Sequence, residues 1–271
     1  MRLEKGGGRL LEPFKLIWEY RKILKSITLN DIKAKYAGSV LGILWALIYP
    51  VLFLGVYSIV FVVIFRIRLD AMTTFDYVLL IFCGLIPWFG FAEAIGTGVN
   101  SVTANANLLK NTLFPIDLMP VKVVFSSIVS QLIGMGLLMI VLLIKGYIGL
   151  TVLFVPVLLA LQIIYSIGII WILSSLNVFF RDIGQVISVL LIMLMMVSPI
   201  AYTNDMISAE VLPYMQLNPL YYLITMFRDV LMFNKLPEVY DLSIFTIISL
   251  GTLYLGNYIF SRLKVVFADY V

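Results

Sequence analysis

The sequence contains no histidine and only one cysteine, Cys83. Without imidazole there is no histidine acid–base chemistry and no histidine-ligated metal site. A single cysteine excludes a disulfide or a thiolate metal cluster within one chain, and its apolar surroundings favour a packing role. We therefore predict no catalytic residue and no metal ligand in this chain.

Charged residues are scarce, at 13% of the chain against 62% hydrophobic residues. Soluble domains carry about 25% charged residues, so this composition excludes a water-soluble catalytic domain. The net charge of +4 reflects basic residues near the first apolar run, where anionic lipid attracts them, and it implies no nucleic-acid partner. The sequence also lacks a Gly-x-x-x-x-Gly-Lys-Ser/Thr phosphate-binding loop. We expect the chain alone not to hydrolyse ATP.

Long uncharged runs are what the sequence has in abundance. A helix needs about 20 mostly apolar residues to cross a bilayer, because its backbone polar groups must be satisfied within the helix. The runs predict an all-α integral membrane protein with six transmembrane helices, at 41–65, 76–98, 121–144, 148–178, 185–203 and 243–261. Residues 1–35 form a cytoplasmic N-terminal segment in this prediction, and 36–271 form the transmembrane domain.

The distribution of Lys and Arg predicts the orientation. With six spans both termini lie on one side, and 14 of the 19 basic residues then share that side. Loops rich in Lys and Arg stay in the cytoplasm. We expect a multi-pass protein of the inner (cytoplasmic) membrane with both termini cytoplasmic.

Three segments outside the spans have patterns of their own. Residues 13–27 have one apolar face, which is typical of an amphipathic helix on the membrane surface, although a protein partner would use the same face. Residues 101–117 are polar and end near Pro115, which indicates a short cytoplasmic helix or an ordinary loop. Residues 211–227 are apolar but broken by two prolines, which favours a helical hairpin that enters the membrane only part way.

Glu93 is the one carboxylate inside a long apolar run. It is either a coupling or substrate-binding group or a structural acceptor for polar neighbours and water. The sequence places no basic or histidine partner beside it, which favours the structural interpretation.

Four aromatic residues of the first span, Trp45, Tyr49, Phe53 and Tyr57, recur at four-residue intervals. This spacing places them on one helical face. Such stripes are often packing or interfacial belts. The functional alternative is a substrate pathway, in which rings stack on the apolar faces of sugars and let a long glycan slide.

An ordered set of motifs resembles the membrane subunit of polysaccharide ABC exporters over nearly the whole chain, with most similarity to the O-antigen permeases. The motifs are Asp31-Ile32-Lys33-Ala34-Lys35-Tyr36, Gly38-Ser39-Val40-Leu41-Gly42 with Trp45, Leu108-Leu109-Lys110-Asn111 with Phe114-Pro115, Phe179-Phe180-Arg181-Asp182-Ile183-Gly184, Ser198-Pro199-Ile200, and Asn218-Pro219 with Phe227-Arg228.

The resemblance implies a homodimer joined to two ATP-binding cassette subunits, which bind ATP and Mg while this chain binds no cofactor. It implies an interfacial N-terminal helix, a coupling helix at 101–117 and re-entrant helices at 206–233. The implied substrate is an undecaprenyl diphosphate-linked polysaccharide moved from cytoplasm to periplasm. Three groups of residues are then expected to serve this transport. They are Leu109, Lys110, Phe114 and Asp117 in coupling to the ATPase, Arg2, Arg9, Lys33 and Lys35 in contacts with the diphosphate, and Pro213, Pro219, Tyr221 and Tyr222 in an outer gate. For each of the four basic residues, the alternative is a charge that only keeps its segment in the cytoplasm.

Other hypotheses remain open at this point. A teichoic acid or capsule exporter shares the same group of permeases, and a drug or small-lipid ABC exporter would share the topology without explaining the aromatic face. A membrane-embedded glycosyltransferase would need a cluster of acidic and basic catalytic residues, which we do not find.

Overall fold

The computed structural model describes residues 12–66, 72–106, 115–203 and 206–270, and every regular element in these ranges is helical. We number the α-helices in chain order. They are α1 (Glu12–Glu19), α2 (Arg21–Tyr36), α3 (Trp45–Ser58), α4 (Thr74–Gly98), α5 (Leu118–Ile144), α6 (Val155–Phe179), α7 (Ile183–Val197), α8 (Leu212–Met215), α9 (Pro219–Leu231), α10 (Val239–Leu263) and α11 (Phe267–Tyr270).

Five helical segments in these ranges are long and apolar enough to cross a membrane. They are Gly42–Ile64, Thr74–Gly98, Leu118–Lys145, Leu150–Phe179 and Val239–Val266. Each overlaps a predicted span, and the multi-pass helical fold is confirmed. The first segment contains α3 and continues through a π-helical stretch at Ile59–Ile64.

The predicted fifth span, 185–203, is not one continuous helix in the structure. The helix α7 has only 15 residues and ends at Val197, a length of about 22 Å against a hydrocarbon core of about 30 Å. Pro199 explains this end, because proline disfavours helical geometry at the residue before it, and Ser198 is extended at φ −74° and ψ 144°.

The helix α4 lies at the centre of the bundle and contacts α3, α5, α6, α7 and α9. Its fully buried side chains include Leu80, Ile81 and Leu85. Two buried glutamines join the neighbouring helices. Gln131 of α5 and Gln162 of α6 exchange two amide hydrogen bonds of 2.9 Å, and Gln162 also donates to the Pro87 carbonyl of α4 at 3.0 Å. Reciprocal pairing satisfies polar groups that would be costly to bury alone.

The amphipathic N-terminal segment is longer than the predicted 13–27. It comprises α1 and α2, which meet at Tyr20. Part of its apolar face packs within the chain, because Leu24 and Thr28 are buried where α2 contacts α5. Trp18 is 71% exposed on the same segment. The predicted surface helix is therefore also a packing element of the bundle.

The segment at 206–233 contains two short helices, α8 and α9. They are separated by three residues, and the Asn218 side chain accepts a hydrogen bond from the Leu220 backbone N–H at the start of α9. Proline suits the first turn of a helix, and Pro219 occupies that position in α9. Ten of the 13 residues of α9 are buried, where the helix contacts α4, α6 and α10. The predicted break is present, although the depth of this hairpin in a membrane stays a prediction.

Residues 107–114 of the predicted coupling segment, 101–117, lie outside the described residues. A short 3₁₀ helix lies within the predicted segment at Thr103–Asn105, and α5 begins at Leu118, directly after residue 117. The assignment of 101–117 as a coupling helix therefore stays a prediction.

Candidate functional site

Two adjoining cavities lie among α2, α3, α4 and α5. The larger, which we call the aromatic cleft, has a volume of about 480 Å³ and is lined mainly by Tyr36, Trp45, Tyr49, Pro50, Ile86 and Phe89. The smaller, the polar pocket, has a volume of about 300 Å³ and is lined mainly by Asp31, Asn100, Ser101, Asn105, Lys122 and Ser126. Lys35, Glu93 and Thr97 line both cavities.

A cluster of rings forms one wall of the aromatic cleft. The Tyr49 and Phe53 ring centroids are 5.0 Å apart, and Phe89 of α4 meets both rings edge-on at 5.3 and 5.1 Å. Trp45 and Tyr49 nevertheless remain 42% and 50% exposed. These two rings therefore offer open faces on which a ligand could stack.

The predicted aromatic stripe divides into two parts in the structure. Trp45 and Tyr49 line the aromatic cleft, and Phe53 contacts Tyr49, but Tyr57 is buried and stacks on Phe61 at 5.6 Å. Phe61 belongs to the π-helical stretch that follows Ser58. The sequence analysis missed Phe89, although its spacing of four residues from Glu93 places both on one face of α4.

Glu93 has a basic partner that the sequence analysis did not find. Its carboxylate forms an ion pair with Lys35 of α2 at 2.5 Å, and Lys35 also donates to the Ser130 hydroxyl at 3.0 Å. The expectation of an acid without a basic partner was wrong because Lys35 lies 58 residues away on a helix outside the spans. Burial lowers the pKa of Lys35, but the charge and hydrogen bond of Glu93 outweigh it and leave that pKa raised. The ammonium is therefore charged at neutral pH.

The polar pocket contains a second ion pair and an unpartnered hydroxyl. Lys122 of α5 lies 3.1 Å from Asp31 of α2, so α2 is tied to the bundle at two points. Asn100 accepts a hydrogen bond from Asn177 at 3.1 Å. The Ser101 hydroxyl is buried without a hydrogen-bond partner in the described part of the chain. Most buried polar groups in proteins are hydrogen-bonded, so this hydroxyl is an exception.

The structure describes only some of the other residues predicted to bind the diphosphate or to contact the ATPase. Lys33 is exposed in the last turn of α2. Asp117 is only 6% exposed, and both of its carboxylate oxygens accept hydrogen bonds from Lys264, at 2.9 and 3.0 Å. Arg2, Arg9, Leu109, Lys110 and Phe114 lie outside the described residues, and their roles stay predictions.

The predicted outer-gate residues lie on the two short helices. Pro213 is exposed in α8 and Pro219 begins α9. Tyr221 and Tyr222 are 2% and 3% exposed, with their rings edge-to-face at 5.3 Å. Both tyrosines therefore pack inside the subunit, which leaves their proposed gating role a prediction.

Arg228 has a structural role that the charge rule did not predict. The charge rule only assigns a side of the membrane to each basic residue, whereas Arg228 is 3% exposed in α9. Its guanidinium donates to the carbonyls of Ile200 and Tyr202, and the Tyr77 hydroxyl donates to the Ala201 carbonyl at 2.6 Å. The irregular backbone after α7 is thus satisfied by side chains rather than by helix bonds.

The fold and these cavities define a helical multi-pass membrane protein with a cleft that is aromatic at one end and ionic at the other. The chain belongs to the ABC-2 type transporter family, whose sequence profile matches residues 23–232. It is a membrane subunit of a transporter and not an enzyme. Transporters of this family work with ATP-binding partner subunits.

The chain is also similar to individual relatives over most of its length. It is 27% identical over 256 residues to the O-antigen export system permease protein RfbA of Myxococcus xanthus, covering 93% of this chain and 96% of the relative. It is 31% identical over 249 residues to a Klebsiella pneumoniae protein of that name, covering 91% and 94%. The polysialic acid transport protein KpsM of Escherichia coli is 25% identical over 246 residues, covering 88% and 93%.

Proposed function

We propose that this chain is the membrane subunit of an ATP-driven exporter that moves a lipid-linked polysaccharide across the inner membrane. The substrate class is of the O-antigen kind, a glycan carried on undecaprenyl diphosphate and moved from cytoplasm to periplasm. The two O-antigen export relatives support this choice over a teichoic acid exporter or a drug exporter. The similarity to a polysialic acid transport protein favours capsule export as the second candidate.

The observation that carries the proposal is the exposure of Trp45 and Tyr49 along the aromatic cleft. Aromatic rings stack on the apolar faces of sugars without the many hydrogen bonds that would hold a long polymer in place. Phe53 and Phe89 hold Tyr49 through ring contacts near 5 Å, so this surface is prearranged. A small apolar drug would need no such row of open ring faces.

The proposed assembly is a homodimer with two ATP-binding cassette subunits, which bind ATP and Mg. A wide glycan pathway would lie between two copies, because one six-span subunit encloses little space. Residues 101–117 would contact the ATPase, and 206–233 would form the outer gate, with both termini cytoplasmic.

We also propose that α7 and the irregular segment after it together make the fifth of six crossings. Non-helical backbone is tolerated at membrane depth only where its polar groups are satisfied by protein or water. The bonds from Arg228 and Tyr77 to the carbonyls of residues 200–202 meet that requirement. Arg2, Arg9, Lys33 and Lys35 would attract the diphosphate at the cytoplasmic entrance.

The test is export by the complete complex in vesicles, supplied in turn with a lipid-linked neutral glycan and with an acidic capsule-type glycan. Tyr49→Ala should slow glycan export, whereas Tyr254→Ala, which removes a similarly exposed ring of α10, should not. Export of only the acidic glycan would select the capsule alternative. If the complex exported neither glycan, the proposed function would be contradicted.

A further inference from the structure

The Lys35–Glu93 ion pair stands between two cavities of opposite character. On one side the aromatic cleft presents Trp45, Tyr49 and Phe89, and on the other the polar pocket presents lysine, amide and hydroxyl groups. The two cavities meet at the pair itself, since Lys35 and Glu93 line both. A ligand that filled both cavities would need one apolar or ring-bearing part and one compact polar part.

The polar pocket has the groups that a phosphate needs. Lys35 and Lys122 supply ammonium donors from α2 and α5, and both line this pocket. Phosphate oxygens form short, strong hydrogen bonds with such cationic donors. One water needs about 10–15 Å³, so a pocket of about 300 Å³ has room for a ligand much larger than a water.

Both lysines are neutralised by carboxylates of the chain. Glu93 holds Lys35, and Asp31 holds Lys122, with 29% of the Asp31 side chain and 27% of the Glu93 side chain exposed. Water reaches both carboxylates and weakens their attraction to the lysines relative to that in a fully buried pair. An incoming anion with several oxygens can therefore take over both lysines while the carboxylates turn to water.

We propose that the polar pocket binds the phosphate headgroup of an amphiphile whose remaining part lies against the aromatic cleft, and that the headgroup displaces Glu93 from Lys35 and Asp31 from Lys122. This inference rests on the proposed function, in which the substrate is a glycan on a polyprenyl diphosphate. It adds Lys122 and the two counterions, which the sequence pattern does not assign to substrate. A phosphate headgroup is shared by polyprenyl diphosphates and by anionic phospholipids, and the experiment separates these two sources.

The test measures binding of a fluorescent farnesyl diphosphate analogue to the purified complex of this chain with its ATPase. Lys35→Met and Lys122→Met should each weaken binding about tenfold, because each removes a charge-assisted contact. Glu93→Gln and Asp31→Asn should each tighten binding, because each frees a lysine. Lys235→Met is the matched control, since it breaks the exposed Lys235–Glu238 pair on another part of the chain and should leave binding unchanged.

The opposite signs for the lysine and carboxylate variants separate a headgroup site from a structural network. If all four variants weaken binding alike and lower the melting temperature, the pairs are structural and the proposal is overturned. Binding that none of the four variants changes would also overturn it. Glu93→Gln and Lys35→Met keep the test informative even if one variant of the second pair fails to fold.

Competition identifies the source of the headgroup. Displacement of the probe by undecaprenyl diphosphate, but not by an equal concentration of phosphatidylglycerol, supports the carrier lipid, and the reverse supports an ordinary membrane lipid in the same site. Equal binding of inorganic pyrophosphate and the probe would overturn the amphiphile part. If the variants shift binding as expected while the complex exports no glycan, the proposed function fails and the site stands. If glycan is exported but the variants leave binding unchanged, the site fails alone.

Discussion

Gly168 of α6 and Gly256 of α10 lie where the two helices approach backbone to backbone. A Cβ atom built on Gly256 would lie closer than 3.0 Å to the carbonyl oxygen of Gly168, which is a backbone atom that cannot rotate away. Small residues allow membrane helices to approach this closely. The long contact between α6 and α10 therefore depends on two residues without side chains.

We expect Gly256→Ala to lower the apparent melting temperature of the detergent-solubilised protein. Overpacking of a close contact costs about 1–3 kcal/mol, and here the obstructing atoms belong to the backbone. Gly251→Ala is the matched control on the same helix, because a Cβ there meets no atom within 4 Å. Equal melting temperatures for the two variants would show that α6 and α10 can separate at little cost.

Arg228 should stabilise the fold through its buried hydrogen bonds, because it does not present a charge at the surface. Arg228→Met removes the donors to the Ile200 and Tyr202 carbonyls, and each buried group left without a partner costs about 1–3 kcal/mol. We expect a clear loss of melting temperature, with a smaller loss for Arg228→Lys, which keeps a charge but lacks the fork of donors. Arg262→Met is the control, because Arg262 is exposed over the Tyr258 ring. The interpretation fails if the variants at the two positions melt alike.

The transmembrane spans and Arg228 show what the sequence could and could not predict. The spans at 41–65 and 76–98 agree with Gly42–Ile64 and Thr74–Gly98, because the length of an apolar run is a direct consequence of bilayer thickness. Charge rules instead count the basic residues on each side of the membrane, so they give Arg228 a side but predict neither its burial nor its partners. Its burial depends on the carbonyls of Ile200 and Tyr202, which lie after the end of α7 and more than 20 residues before Arg228, and no local pattern encodes this contact.

Helical periodicity predicted part of the candidate site. Periodicity placed Trp45 and Tyr49 on one face of α3, and both line the aromatic cleft. It could not separate Tyr57 from them, because the packing of α3 against its neighbours decides which part of the face is buried. Nor could it join Lys35 to Glu93, since that contact depends on how α2 lies against the bundle.

The two parts of the aromatic stripe should respond differently to truncation. Tyr49→Ala removes an exposed stacking surface of about 1 kcal/mol, so we expect export per folded complex to fall about fivefold with little change in melting temperature. Tyr57→Ala removes a buried ring, and such core truncations cost about 3–5 kcal/mol, so folded protein should be lost instead. Tyr57→Phe keeps the ring and serves as the control. The division would be wrong if Tyr49→Ala unfolded the protein and left export per folded complex intact.

The chain should hydrolyse ATP only through its partner. It lacks the glycine-rich loop and lysine that hold nucleotide phosphates, and its family works with ATP-binding subunits. We expect the purified chain alone to show no ATPase activity and the complex to show it. A phosphate-release assay on both preparations decides the matter, and hydrolysis by the chain free of its partner would contradict this assignment.

The Asp117–Lys264 pair ties the end of the predicted coupling segment to the residues that follow α10. Asp117→Asn and Lys264→Met each break the pair, whereas the bond from the Trp171 side chain to the Asp117 backbone carbonyl at 3.1 Å is retained. If 101–117 transmits movement of the ATPase to the membrane helices, a segment that is held less firmly should transmit less of that movement. We expect the complex of each variant to hydrolyse ATP while exporting less glycan per ATP.

The control for this prediction is Lys235→Met, which breaks an exposed ion pair far along the chain from the coupling segment. Cysteine pairs between 101–117 and the ATPase should also crosslink in the unaltered chain, because a helix seated in a groove of the partner is the contact that turns a rigid displacement into movement of α4 and α5. Two results together would contradict the coupling role of 101–117. They are export per ATP equal to that of the control in both pair variants, and no crosslink anywhere in the segment. Asp117 and Lys264 would then be a packing pair.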